Sequence, residues 1–404
     1  MTDLILRAAT EADVPAFVAA DQRGFHARMS ETEVADSLTV LRPEEFLLAI
    51  DNTDQSSLDG SGIVGVAAAY DMTVTLPGGA ALPSRGVAWV SVPATHRRRG
   101  ILRALMTEQL SGFVEAGTPL AMLTASHASI YGRFGYGEAT RNRQVSIDPR
   151  FAQFRATAPD PGGVRFAETA DIGNHAADVH RRWAARTPGA VSRSEAWWTR
   201  FLHDREYSRG GGSARFHLVH PDGWVTYRSH WGSDGPTLRA EVFAATDAAH
   251  AALWRVLLSM ELAKSVETRI PLDDPLPLLL TDPRLVTTTS VDDGLWLRVL
   301  DVPAVLATRR YAVEVDVVLD VHDDFLGRGG RFRLEGGPDG ATCIPTSEAA
   351  QATLDIADLG SLVTGCGRAR RLAAAGRLTA EPDVLRRVDA AFVPEREPVH
   401  GTDF

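Results

Sequence analysis

The chain has 404 residues, enough for two to four domains that each bury a core. Hydrophobic residues at 44% and charged residues at 23% are the proportions of a globular protein, and a formal net charge of −10 argues against non-specific nucleic-acid binding while favouring cationic partners. Two cysteines, Cys343 and Cys366, rule out a disulfide scaffold and fit a reducing, cytoplasmic setting; no metal-spaced set contains them, and the leucine-rich run 276–280 is too short to cross a bilayer.

Taken in chain order, residues 1–9 read as a first strand without the layout of a secretion signal. An early helical region follows, Phe25 to Glu33. The polar loop 51–59 then leads to Gly60-Ser61-Gly62-Ile63-Val64-Gly65, formally a GxGxxG. A dinucleotide site needs a strand before this pattern and a helix after it, whereas here a loop precedes and the strand-like run 64–70 follows. It reads as a turn entering a strand.

The densest signal is residues 87–103. A short apolar run, Val87 to Val92, meets Pro93, then His96 and three arginines, Arg97, Arg98 and Arg99. From Gly100 the residues Ile101, Leu102, Leu105, Met106, Leu110, Phe113 and Val114 fall on one face at period 3.6, with Gly117 as the stop. Strand, basic glycine-bearing loop and helix N-terminus make an anion site. Unpaired N–H groups and the positive end of the helix dipole converge there, and a diphosphate fits. No GxxxxGK[ST] is present. A second buried strand, 119–126, precedes a segment rich in glycine and aromatics, His127 to Gly137.

The run Arg97 to Leu102 resembles motif A of the GNAT acetyltransferases, whose loop amides hold the pyrophosphate of coenzyme A. With Ile130-Tyr131-Gly132-Arg133-Phe134-Gly135-Tyr136-Gly137 one helix and one strand further on, it resembles the enhanced intracellular survival (Eis) branch, where a bulky residue at position 102 is normal. That resemblance implies an α/β fold: two tandem GNAT-like domains, each a mixed sheet with flanking helices, and a sterol-carrier-like α+β domain. It also implies a homohexamer. The expected limits are 1–154 for a catalytic domain, 155–163 for a linker, 164–292 for a degenerate copy and 293–404 for the carrier-like domain with its tail.

The remaining elements fit this order. Residues 155–163 form a Pro/Gly linker, and 164–172 repeat the pattern of 6–14. The second copy offers a strand at 238–245 and a helix at 247–262. Between them Ala244 to Ala249 carries neither arginine nor glycine, and Asp247 would oppose a phosphate, so only the first copy has a working site. His217 and His220 fall on opposite faces of a strand and do not share a metal. Trp197 and Trp198 read as helix packing. From residue 293, strands are expected at 295–303, 312–321 and 331–335, and helices at 347–353 and 383–392.

Acetyl transfer to an amine needs a base for the amine, a donor for the carbonyl oxygen and an acid for the leaving thiolate. By resemblance, Val90 and Val92 bind acetyl-CoA through the main chain, Arg97, Arg98, Gly100 and Ile101 hold the diphosphate, and Ser126 lies near the pantetheine. No metal is implied. On the residues alone Tyr131 is either a phenolic acid or a packed core tyrosine; the resemblance selects the acid. Tyr136, between two glycines, reads as structural, and Arg133 as a cofactor contact or a surface ion pair. His96 and His127 are candidate bases near neutrality, whereas the resemblance points to the terminal carboxylate of Phe404. The implied acceptor is a polycationic amine (an aminoglycoside, a polyamine or a lysine-bearing peptide), with Glu31, Glu33, Asp36 and Asp403 as possible counter-charges. The competing reading is a non-catalytic acyl-CoA-binding or assembly protein with a relic site.

Overall fold

The computed structural model describes residues 4–53 and 60–404. The start of the predicted first strand (1–3) and residues 54–59 of the polar loop lie outside the described residues. The first unit contains β1 (Leu4–Ala8), β2 (Phe46–Asp51), β3 (Ile63–Thr75), β4 (Ala81–Ser91), β5 (Leu120–Thr124) and β6 (Gly137–Glu138). Helices α1 (Val14–Phe25) and α2 (Glu31–Leu38) separate β1 from β2, α3 (Ile101–Glu115) separates β4 from β5, and a single turn, α4 (Ala128–Tyr131), follows β5. β1 to β4 pair antiparallel, while β4 and β5 are parallel, as a helical crossover requires. The predicted apolar face of α3 is its buried face, with Ile101, Leu105, Met106, Leu110 and Phe113 inside. Gly60 and Gly62 are left-handed turn residues ahead of β3, and a Cβ at Gly65 would come 2.7 Å from Ile101. The glycine run therefore serves a turn and close helix packing.

The next strand, β7 (Arg141–Ile147), leaves this sheet. It joins a second one built from β8 (Arg165–Ala167), β9 (Phe216–His220), β10 (Gly223–Gly232), β11 (Gly235–Ala244), β12 (Ser265–Ile270) and β13 (Thr287–Asp293), in the order β13-β7-β12-β11-β10-β9-β8. Helices α5 (Gly173–Ala184), α6 (Glu195–His203), α7 (Asp247–Leu257) and the turn α8 (Leu276–Leu279) accompany it. In return β14 (Leu295–Val299) enters the first sheet between β5 and β6, giving β1-β2-β3-β4-β5-β14-β6. The two units have exchanged one strand each. This differs from the sequence-based limits, which keep 141–147 with the first domain and give 295–299 to the third. Period-2 patterning identifies a strand but carries no information on which sheet receives it.

The third unit holds β15 (Val315–His322), β16 (Gly330–Gly336), β17 (Ala341–Pro345), β18 (Ala352–Asp355) and β19 (Leu378–Ala380) in the order β17-β16-β15-β18-β19. Around them lie α9 (Val302–Thr308), α10 (Ile356–Thr364), α11 (Ala369–Ala374) and α12 (Pro382–Ala391). The helix expected at 347–353 is a loop running into β18, because Ala352 and Leu354 are buried beside β15 and pairing there outweighs alanine's helical preference. Buried Arg309 donates to the carbonyls of Val363 and Phe392, which lie at the ends of α10 and α12.

Candidate active site

β4 carries the irregularity that makes a site. Its register against β3 passes from Val66 opposite Ser91 to Ala68 opposite Ala88, so β4 has one extra residue, and Trp89 adopts a left-handed φ of 54°. On the other edge β4 pairs with β5 only from Ser84 to Gly86, opposite Leu120 to Met122. β5 stays bonded to β14 as far as Thr124. Beyond Gly86 the two parallel strands therefore part, and on the edge facing β5 the main chain of Val87 to Ser91 has no ladder partner across the gap. Val90 and Val92 are half-buried along it, and Ser126 is exposed just past β5.

At the entrance to α3, Gly100 has φ 84° and no side-chain cap, and the first helical bond runs from the Ala104 N–H to the Gly100 carbonyl. The N–H groups of Ile101, Leu102 and Arg103 thus lack a helical partner. Arg98 is also left-handed, with φ 63°. Arg97, Arg98 and Gly100 are exposed, whereas Arg99 pairs with buried Asp51 at 2.6 Å. Ile101 is 2% exposed, so only its main chain can meet a phosphate.

The faces of the sheet separate the two predicted proton-transfer groups. Tyr131 packs with Val87, Leu123, Met106 and Leu110 on the α3 side, and burial raises its phenolic pKa. Phe404 lies in the opposite layer, with Tyr70 and Trp89. Tyr136 is fully buried, 6.0 Å from Tyr131 between ring centres. His96 is buried with Nδ1 2.8 Å from the Thr95 hydroxyl, and His127 is exposed before α4. Arg133 donates to the Ile130 carbonyl and forms no ion pair with the described residues.

The tail is bound along its length. Val399 donates to Pro188, Val191 to the His400 carbonyl, and Arg193 to the Gly401 carbonyl (2.6 Å) and the Thr402 hydroxyl (3.1 Å). His400 contacts Thr140 and Asp403, and Arg269 pairs with Asp403 at 3.0 Å. The last residue then reaches the parting strands: the Thr124 hydroxyl donates to the Phe404 main-chain oxygen at 3.3 Å. A Cβ at Gly86 would come 3.0 Å from the Phe404 ring, so that glycine makes room for it. Thr124, Gly86 and Arg193 carry no motif, and sequence reasoning did not single them out.

Two family models of the acetyltransferase (GNAT) domain match residues 6–139 and 189–299, and a sterol carrier protein domain matches 302–401. The N-acetyltransferase Eis of Mycobacterium tuberculosis is 42% identical over 344 residues, covering 83% of this chain and 84% of that protein. The chain belongs to the Eis family of N-acetyltransferases. An uncharacterized N-acetyltransferase of Streptomyces avermitilis is 37% identical over 395 residues, covering 93% and 92%. The crystal structure of Eis1 from Mycobacterium abscessus superposes with a TM-score of 0.87 at 32% identity, over 99% of this chain and all of that one. The chain is thus an acetyltransferase, with the two GNAT domains and carrier-like domain of its family. Among the described residues no helix is long and apolar enough to cross a membrane, and no cluster of metal-binding side chains occurs.

Within this Eis-type frame, the tail borders cavities of about 650 and 230 Å³ that share Ser208, Arg215, Glu241 and Asp403. A smaller one of about 170 Å³ links Asp403 to Thr124, the residue that holds Phe404. Eight arginines and three carboxylates line the two larger cavities. This sign is the reverse of what a polycationic acceptor calls for. Glu31, exposed, and Glu33, half-buried, lie on α2 and line neither cavity, while Asp36 is already engaged by Arg205 and Tyr207. Asp403, hydrogen-bonded to His400 and paired with Arg269, is held well below the usual carboxylate range.

Proposed function

We propose that this Eis-family acetyltransferase carries acetyl directly from acetyl-CoA to a primary amine, with the thioester lying in the gap between β4 and β5. Arg97, Arg98 and the main-chain N–H groups of Gly100 and Ile101 receive the diphosphate. The main chain of Val90 and Val92 lines the pantetheine arm, which runs past Ser126, and one amide of the bulged segment polarises the thioester carbonyl. Tyr131 is the general acid. Burial keeps its phenol protonated at neutral pH, so it can return a proton to sulfur. The Phe404 carboxylate is the general base, taking a proton from the incoming amine on the opposite face.

The observation that carries this reading is the seating of the chain terminus at the parting strands, by Thr124 and the Arg193-bound tail. The acceptor is an amine; the multiply charged class that resemblance implies gains no support from the cavity lining. A cytoplasmic homohexamer belongs to the same proposal, and light scattering on the pure protein checks the assembly.

Thiol release from acetyl-CoA with a panel of amines, scored with mass spectrometry of the acetylated product, tests the proposal. Tyr131→Phe should reduce turnover by roughly a hundredfold or more, in the range of acid–base contributions, with acetyl-CoA affinity nearly unchanged. Binding of acetyl-CoA without transfer to any amine would instead favour the non-catalytic alternative.

A further inference from the structure

The acceptor cavity is lined by more positive charge than its carboxylates neutralise. Asp204 receives Arg209, Arg215 and Arg228 together, leaving that cluster two charges positive. Asp36 pairs with Arg205, Glu267 with Arg239, and Asp403 with Arg269. Among the described residues no carboxylate forms an ion pair with Arg193 or Arg200. Arg193 Nη1 is buried without a hydrogen-bond partner, and its guanidinium lies against the rings of Trp198, Phe201 and Phe243. Arg200 stands beside the hydroxyls of Tyr70 and Tyr207, with Trp197 under it. Tyr70 in turn meets the Phe404 ring at 6.1 Å, so these two cations flank the reacting end of the cavity. Among the described residues Glu241 is the one lining acid without an ion pair, and alone it does not balance this excess.

We propose that the acceptor is an amine that also bears an anionic oxygen group, a carboxylate or a phosphate, which docks on the arginines beside α6 while the amine meets Phe404. The inference rests on the acyl-transfer reading above and narrows its acceptor. A polycation entering this cavity would meet like charge, whereas a guanidinium binds carboxylate or phosphate with charge-assisted hydrogen bonds. Placing the anion at Arg193 and Arg200 leaves the amine as the end nearest the terminal carboxylate.

The test compares matched amines as acceptors of the intact enzyme: ethanolamine with O-phosphoethanolamine, cadaverine with lysine, glucosamine with its 6-phosphate, and spermidine as the polycation. The carboxylate and phosphate pairs separate the two anion sources. The expected result is that anion-bearing members have kcat/KM at least about tenfold above their partners, the effect of one charge-assisted contact. Arg200→Gln should erase that preference and Arg200→Glu reverse it towards spermidine, both with unchanged KM for acetyl-CoA. Spermidine preferred by the wild type, or a preference untouched by Arg200→Glu, would overturn the inference while leaving the transferase intact. Absence of thiol release with every amine would remove the transferase reading, and this inference with it.

Discussion

At the scale of single residues, a carboxyl group buried without a cation is held in its protonated form. Asp21 on α1 is such a group: its Oδ1 has no hydrogen-bond partner among the described residues, and burial beside Ser91 of β4 pushes its pKa up to about 7. The fold binds this proton better than the unfolded chain does. The resulting stabilisation is complete below the ordinary aspartate pKa of about 3.9 and is lost as pH rises through about 7. Asp21→Asn should therefore raise the melting temperature clearly at pH 8 and little at pH 5, as differential scanning fluorimetry would show. An equal shift at both values would deny the buried proton. The arginine loop and Gly100 were legible because their side-chain chemistry and helix-start position speak locally. Trp89, Thr124 and Asp21 were not, because their roles come from a bulge, a strand end and a helix packed across the sheet.

Among elements, the tail and the exchanged strands show what a linear pattern hides. The family resemblance points to the terminal carboxylate but says nothing of what holds it; the structure adds the anchors, spread over residues 124, 140, 191, 193 and 269. Gly401 is the tightest point. Its φ is +65°, and a Cβ there would lie 2.3 Å from the Trp183 ring. Gly401→Ala should dislodge the last residues and lower turnover at least tenfold or so, within the range for displacing the base proposed above, while calorimetry finds acetyl-CoA affinity unchanged. Full activity in that variant would mean that the path of the tail is unimportant to catalysis. The exchange of β7 and β14 was illegible for a different reason: both strands show ordinary alternation, and their partners lie about 120 and 170 residues away in sequence.

Across the whole molecule, composition and cavity disagree. The net charge of −10 suggested cationic partners, yet in the cavities beside the tail the lining arginines outnumber the lining carboxylates, eight to three. Overall charge governs the distant field, whereas recognition depends on the few side chains that face the ligand. The three-unit order was legible from the repeat at 164–172 and from the family resemblance that the motifs carry; how the units interlock was not, since each of the first two sheets completes itself with the other's strand. Both features converge on the terminal residue, which the tail, the first sheet and the second domain together hold in place. The decisive measurement is steady-state and binding analysis of a chain ending at Asp403. The account predicts turnover reduced by roughly a hundredfold or more with acetyl-CoA affinity preserved. Full turnover without Phe404 would contradict it.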